Sequence, residues 1–67
     1  MQSIVFNKAQ KTVKIYRNDE DLYVNRSTYS CNNISRVKRE GDTLIGYNDN
    51  GLIVMNISRK NSHYTEG

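Results

Sequence analysis

The chain has 67 residues and a formal net charge of +3, from ten Lys and Arg against seven Asp and Glu. A chain of this length buries only roughly 60% of its unfolded surface, which excludes more than one small core. The single cysteine, Cys31, excludes an intramolecular disulfide framework, and the excess of cations favours anionic partners.

Localisation is predicted from the distribution of apolar residues. The N-terminal stretch MQSIVFNKAQ has no apolar run long enough for a signal peptide. No segment approaches the roughly 18 apolar residues that span a membrane. We therefore expect a soluble, cytoplasmic protein with no membrane contact.

The N-terminal third predicts three antiparallel strands. The segments SIVFN, KTVKIYRN and DLYVNRS each alternate between apolar and polar residues, and NKAQ and NDED read as the turns between them. Pairing about these turns places Tyr16 across from Tyr23, on the outer face with Lys14 and Asn25. The predicted core residues of this meander are Ile4, Phe6, Val13, Ile15, Leu22 and Val24.

The segment that follows, STYSCNN over 27–33, is polar and rich in turn formers. Cys31, Ile34 and Val37 recur every three residues, which is the spacing of a helical turn. A crossover loop explains the same stretch equally well, so both interpretations stand.

A second meander is predicted over 34–57, with turns at Glu40-Gly41 and Asn50-Gly51. Strand parity then separates two faces. The core face holds Val37, Leu44, Gly46, Ile53, Met55 and Ile57, and the second face holds Ile34, Arg36, Lys38, Ile45, Tyr47, Leu52 and Val54.

These elements predict an all-β fold. It is either a small six-stranded antiparallel barrel or a sandwich of two three-stranded meanders, formed by residues 1–57 as a single domain. The alternation ends after Ile57, so residues 58–67 are expected to form a frayed tail. The thin stability margin of so small a core favours removal of exposed edges, either by closure into a barrel or by pairing of edge strands between copies in a homo-oligomer.

No residue pattern predicts catalysis. The lone His63 lies in the expected tail, the acids cluster in turns, and Cys31 has no catalytic signature around it. The four glycines are isolated, so no phosphate-binding loop is predicted. We expect a protein that is not an enzyme and has no cofactor and no metal.

Basic and aromatic residues on the outer faces predict a binding function. Cations that contact phosphates, interleaved with rings that stack on bases, are typical of proteins that bind single-stranded nucleic acid or RNA. The predicted nucleic-acid-binding residues are Lys14, Tyr16, Tyr23, Arg36, Lys38 and Tyr47. Solubilising charge on a sheet face explains the same pattern.

Two alternatives follow from the second face of the second meander, which is more apolar than a solvated face needs to be. Its residues Ile45, Tyr47, Leu52 and Val54, or an exposed sheet edge, would dock on a host protein and modulate it. The short chain and its Asn, Ile, Lys and Tyr bias are typical of mobile elements with AT-rich coding sequences. The same face would otherwise form a self-interface in a structural subunit.

Overall fold

The computed structural model describes residues 1–67 and contains seven strands and one short helix in two sheets. The first sheet has the strand order β3-β2-β1-β7 and the second the order β4-β5-β6. The all-β class is confirmed, but the sheets do not close into a barrel. In chain order the elements are β1 (Gln2–Asn7), β2 (Thr12–Tyr16), α1 (Asp19–Tyr23), β3 (Tyr29–Cys31), β4 (Arg36–Glu40), β5 (Thr43–Tyr47), β6 (Ile53–Ser58) and β7 (Ser62–Glu66).

One core lies between the two sheets. Alternate residues of β1 and β2 point inward from the first sheet, and alternate residues of β5 and β6 point inward from the second. Six of the predicted apolar core side chains are confirmed as buried, and Val37 and Ile57 pack against them half-buried. The buried cluster consists of Ile4, Phe6, Val13, Ile15, Ile34, Leu44 and Met55.

Ile34 was expected on the second face, and that expectation is wrong. Its side chain is completely buried. The residue lies before β4, and its backbone N–H donates to the carbonyl of Lys11 at 2.9 Å. This long-range bond turns the side chain into the core, so the alternation of β4 does not extend to it.

The predicted third strand, DLYVNRS, is also wrong, because residues 19–23 form α1. Asn18 caps the helix: its Oδ1 accepts from the backbone N–H of Asp21 at 2.8 Å. The helix is further stabilised because the three acids of its first turn lie beside the positive end of the helix dipole. Leu22 and Val24 are consequently exposed rather than part of the core, and Tyr16 does not pair with Tyr23.

The strand that pairs with β2 comes from the segment 27–33 and not from residues 19–23, which form α1. β3 pairs antiparallel with β2, with Cys31 opposite Val13 and Tyr29 opposite Ile15. Tyr29 and Cys31 pack half-buried against the core. The segment is therefore neither a helical turn nor only a loop.

The second sheet follows the predicted pairing except at a β-bulge. Val37 lies opposite Gly46 as expected. On the other side of β5, Gly46 lies opposite Met55 whereas Tyr47 lies opposite Ile53, so the register shifts by one residue. The shift moves Ile53 out of the core face, and its side chain is 58% exposed.

Residues 58–67 differ from the expected frayed tail, because β7 pairs with β1 in parallel. Ile4 lies opposite Tyr64, which packs half-buried against the core. Gly67 continues the pairing: its N–H donates to the carbonyl of Phe6 at 2.8 Å, and its carbonyl accepts from Lys8 N–H at 3.2 Å. Sequence reasoning about antiparallel turns could not find a parallel partner this distant in the chain.

A charged contact ties the two sheets together at one end. Lys11, in the β1–β2 turn, has its Nζ 2.8 Å from Asp49 Oδ2 in the β5–β6 turn. The hydroxyl of Ser35 also donates to the Asp49 carboxylate. We call Lys11, Ser35 and Asp49 the turn clamp.

Candidate functional site

The outward side of the second sheet mixes cations with apolar side chains. Two cross-strand rows define it, since Arg36 lies opposite Tyr47 and Lys38 lies opposite Ile45. Ile53 extends the first row on β6. We call Arg36, Lys38, Ile45, Tyr47 and Ile53 the β4–β6 outer face.

The two cations of this face are held differently. The guanidinium carbon of Arg36 lies 4.2 Å from the ring centroid of Tyr47, which is a cation–π contact. The Nζ of Lys38 lies 2.9 Å from Glu40 Oε1. This hydrogen bond, together with the negative charge of Glu40, raises the pKa of Lys38. Arg36 has no carboxylate partner, so its charge is available to a ligand.

Three consecutive aliphatic side chains lie in solvent at one end of this face. Leu52, Ile53 and Val54 are 62%, 58% and 41% exposed. The preceding turn is held by its own side chain: Asn48 Oδ1 accepts from the N–H groups of Asn50 at 2.9 Å and Leu52 at 3.0 Å. The aliphatic side chains are therefore presented on a fixed hairpin.

β6 is an edge strand, paired only with β5. Arg59 N–H donates to the Asp42 carbonyl at 2.9 Å. Hydrogen-bonded and non-hydrogen-bonded pairs alternate along an antiparallel ladder. The main-chain groups of Asn56 and Ser58 therefore point to the open side. The Val54 carbonyl is approached by Cys31 Sγ of β3 at 3.8 Å, so the free part of the edge begins beyond it, at Asn56.

The four sheet edges differ in how they are protected against pairing with another chain. β3 has only three residues. Four of the five residues of β4 are charged, and β7 carries His63 and Glu66. β6, with the sequence IVMNIS, is six residues long and carries no charge. It is the least protected edge of the molecule.

The structure divides the predicted nucleic-acid-binding residues between opposite sides of the sandwich. Arg36, Lys38 and Tyr47 lie on the β4–β6 outer face. Lys14 and Tyr16 belong to β2 of the first sheet, on its outer side. The six residues therefore do not form one surface, and Tyr23 lies apart from both groups on α1.

Tyr16 is not placed as a stacking ring. Its side chain is buried, and its hydroxyl donates to Asn25 Oδ1 at 2.9 Å. A base could not reach the face of this ring without displacing its neighbours. Tyr23, in contrast, is almost fully exposed.

The predicted protein interface is brought together more closely. Ile45 and Tyr47 share the β4–β6 outer face, and Leu52 and Val54 are exposed at its end. Sequence reasoning missed Ile53, which the β-bulge turns outward. The sequence over 52–57 contains no residue that marks a bulge, so the predicted alternation continues through it without a break.

The structure contains no group of three or more His, Cys, Asp or Glu side chains placed to share a metal ion. It contains no helix with the length and apolar character needed to cross a membrane. Comparison with known proteins finds no family model, no curated protein and no solved structure that matches the chain. The candidate site is therefore defined by its own geometry.

Proposed function

We propose that this chain is a non-enzymatic protein-binding module that takes an extended segment of a partner protein alongside β6. The observation that supports the proposal is the uncharged open edge of β6, which is continuous with the exposed side chains of Leu52, Ile53 and Val54. Addition of a strand to such an edge is a common mode of peptide recognition.

Main-chain and side-chain contacts have separate roles in this proposal. The outward N–H and C=O groups of Asn56 and Ser58 would pair with the backbone of the partner segment, each hydrogen bond contributing about 0.5–1.5 kcal/mol. Burial of an exposed aliphatic side chain contributes about 1.5–3 kcal/mol. The aliphatic side chains would thus set affinity and the preference for apolar residues.

The charges that follow β6 indicate which residues lie next to the apolar part of the partner segment. Arg59 and Lys60 directly follow β6, and neither forms an ion pair with a carboxylate of this chain. A segment lying along β6 would end beside them. The partner is therefore an extended segment with alternating apolar residues and acidic residues at one end.

The test of the edge is a peptide selection followed by a backbone variant. A random 12-mer phage-displayed library is selected on the immobilised protein, and enriched sequences are synthesised for titration. We expect Asn56→Pro to weaken binding about ten-fold or more, because proline removes the outward donor. Asn56→Thr keeps the N–H and is expected to bind normally.

The test of the aliphatic end uses two substitutions matched in exposure. Ile53→Asp should weaken the same peptides, whereas Val24→Asp at the C-terminal cap of α1, where the side chain is 54% exposed, should not. Equal binding by Asn56→Pro and the unchanged protein, with the fold intact by circular dichroism, would contradict the proposal. So would enrichment of no sequence class. Peptide-free dimers lost in Asn56→Pro would identify a second copy of the chain as the occupant.

Single-stranded nucleic acid is the second candidate, favoured by the contact of Arg36 with the Tyr47 ring beside Lys38. Fluorescence anisotropy of a labelled mixed-sequence oligonucleotide, at low and moderate salt, tests it. The double variant Arg36→Gln, Lys38→Gln should then weaken binding and reduce its salt slope. No binding at low salt would remove this candidate.

A further inference from the structure

A cleft of about 260 Å³ lies at the end of the sandwich opposite the turn clamp, where the β4–β5 turn meets the link between β6 and β7. It lies between the two sheets, and Asn56 and Ser58 of the open side of β6 do not line it. Its polar lining residues are Arg39, Asp42, Arg59, Asn61, Ser62 and Tyr64.

Two arginines come to this cleft from different elements. Arg39 lies opposite Leu44 on the inward-facing side of β4, at the rim of the sandwich. Arg59 is fixed by its backbone, whose N–H donates to the Asp42 carbonyl at 2.9 Å, and its Nη1 donates to the Ser58 carbonyl at 2.8 Å. Both arginines therefore line the same cleft.

Neither guanidinium is neutralised by a carboxylate of this chain. The four ion pairs of the structure use other cations, namely Lys8, Lys11, Arg17 and Lys38. Asp42 lines the cleft but bridges to no cation. Two positive charges against one negative charge leave the cleft electropositive.

The remaining lining groups are neutral. Ser62 donates its hydroxyl to the Arg59 carbonyl at 3.3 Å, and Tyr64 donates its hydroxyl to Glu66 Oε1 at 3.0 Å. Burial, followed by the contact with Glu66, raises the pKa of Tyr64, although the nearby charge of Arg39 acts in the opposite direction. The phenol therefore stays protonated at neutral pH and adds no negative charge.

We infer that this cleft is an oxyanion site, in which Arg39 and Arg59 together bind a phosphate or carboxylate group. Guanidinium groups present planar pairs of donors that match the oxygens of both anions. Asn61 and Ser62 lie at the same opening and provide further polar groups. The ligand is a free anion or an acidic group on a larger molecule.

The test is a titration of the ¹⁵N-labelled protein with inorganic phosphate, with sodium chloride adjusted to hold the ionic strength constant. The backbone amides of Asn61 and Ser62 should shift with saturation. Arg39→Gln and Arg59→Gln should each raise the Kd about ten-fold, as expected for loss of a charge-assisted hydrogen bond. Lys60→Gln makes the same change in net charge outside the cleft and should leave the Kd nearly unchanged.

A gain-of-binding variant keeps the test decisive if an arginine variant unfolds. Asp42→Asn removes the only acid of the lining and should lower the Kd for phosphate. A parallel titration with acetate distinguishes the two anions: saturation by acetate indicates carboxylate ligands, and saturation by phosphate alone indicates phosphate groups, free or attached to a larger molecule. Linear, non-saturating shifts in both titrations would overturn the inference.

The oxyanion site and the proposed peptide edge share Arg59, and Asn56→Pro distinguishes the failure of one from the failure of the other. Asn56→Pro should leave phosphate binding unchanged, because Asn56 does not line the cleft. Equal weakening of phosphate binding by Lys60→Gln and Arg59→Gln would reduce the effect to overall charge and overturn the site.

Discussion

At the scale of single residues, Gly46 and Ile34 share one packing site. A Cβ on residue 46 would lie 2.8 Å from Ile34 Cδ1 and 3.1 Å from Met55 Cβ. Ile34 is completely buried, so its methyl group has no solvent to move into. The close approach of β5 and β6 to the loop that carries Ile34, between β3 and β4, therefore depends on the absence of a side chain at position 46.

This packing predicts a non-additive pair of substitutions. Gly46→Ala should lower the free energy of unfolding by about 1–3 kcal/mol, because it overfills the site. Ile34→Val alone should cost about 0.5–1.5 kcal/mol. Since valine lacks the clashing Cδ1, the double variant should lose less than the sum, as measured by urea unfolding.

The control is Gly67→Ala, where an added Cβ would meet nothing within 4 Å. Its free energy of unfolding should not change. Strict additivity of Gly46→Ala and Ile34→Val would show that the two residues do not share a site.

Burial could be predicted from the sequence for residues inside regular alternation, such as Ile4 and Val13, and could not be predicted outside it. Ile34 is buried because its N–H reaches the Lys11 carbonyl, a contact between residues far apart in the chain. Tyr16 obeys the predicted parity but is covered by its own contact with Asn25. Strand alternation predicts the side of the sheet on which a residue lies, but it does not predict whether another part of the chain covers that side.

At the scale of elements, α1 is defined by its N-terminal cap. Asn18→Ala should lower the free energy of unfolding by about 1 kcal/mol, because the N–H of Asp21 loses its acceptor. Asn18→Ser should retain most of the stability. Thermal unfolding of the three proteins provides the measurement.

The matched control is Asn32→Ala, an exposed asparagine outside any helix. Its unfolding temperature should equal that of the unchanged protein. An Asn18→Ala variant as stable as this control would show that the cap contributes nothing to α1.

The same helix explains one error of the sequence-based prediction. Asn18 followed three residues later by an acid is a local signal for a helix start. The alternation of LYVN favours a strand over the same residues, and the acids that follow Asn18 are also typical of a turn. The β4-β5-β6 meander was predictable because Gly41 and Gly51 mark its turns with positive φ, whereas the bulge and β7 had no comparable marker.

At the scale of the whole molecule, the turn clamp joins the two sheets. The hydrogen bond from Lys11, then that from Ser35, lowers the pKa of Asp49 below its usual range. A lowered folded-state pKa stabilises the fold above the unfolded-state pKa, and this contribution is lost as the pH falls through the folded-state value. The clamp should therefore weaken in acid.

Asp49→Asn tests this pH dependence. The unchanged protein should be more stable than the variant at neutral pH, and the difference should shrink as the pH falls below the usual range of an aspartate, measured by urea midpoints. In a Lys11→Gln background the same substitution should show a smaller pH-dependent effect. An equal effect in both backgrounds would show that Lys11 does not set the titration of Asp49.

The arrangement of the faces in the whole molecule limits what the sequence could predict about function. Lys14 and Lys38 both point away from the core, as predicted, but they belong to different sheets whose outer sides face opposite directions. Parity assigns a residue to the outside of its own sheet. Only the stacking of the sheets decides which outer residues meet.

The parallel pairing of β1 with β7 has a consequence for how the protein is made. Ile4 and Tyr64 are sequence-distant neighbours, so one side of β1 stays without its partner until the ribosome has released residue 66. The β1–β2 and β5–β6 hairpins can pair earlier, because their residues emerge together. A nascent chain therefore carries an incomplete first sheet until β7 has emerged, and the pairing of β7 with β1 then completes that sheet.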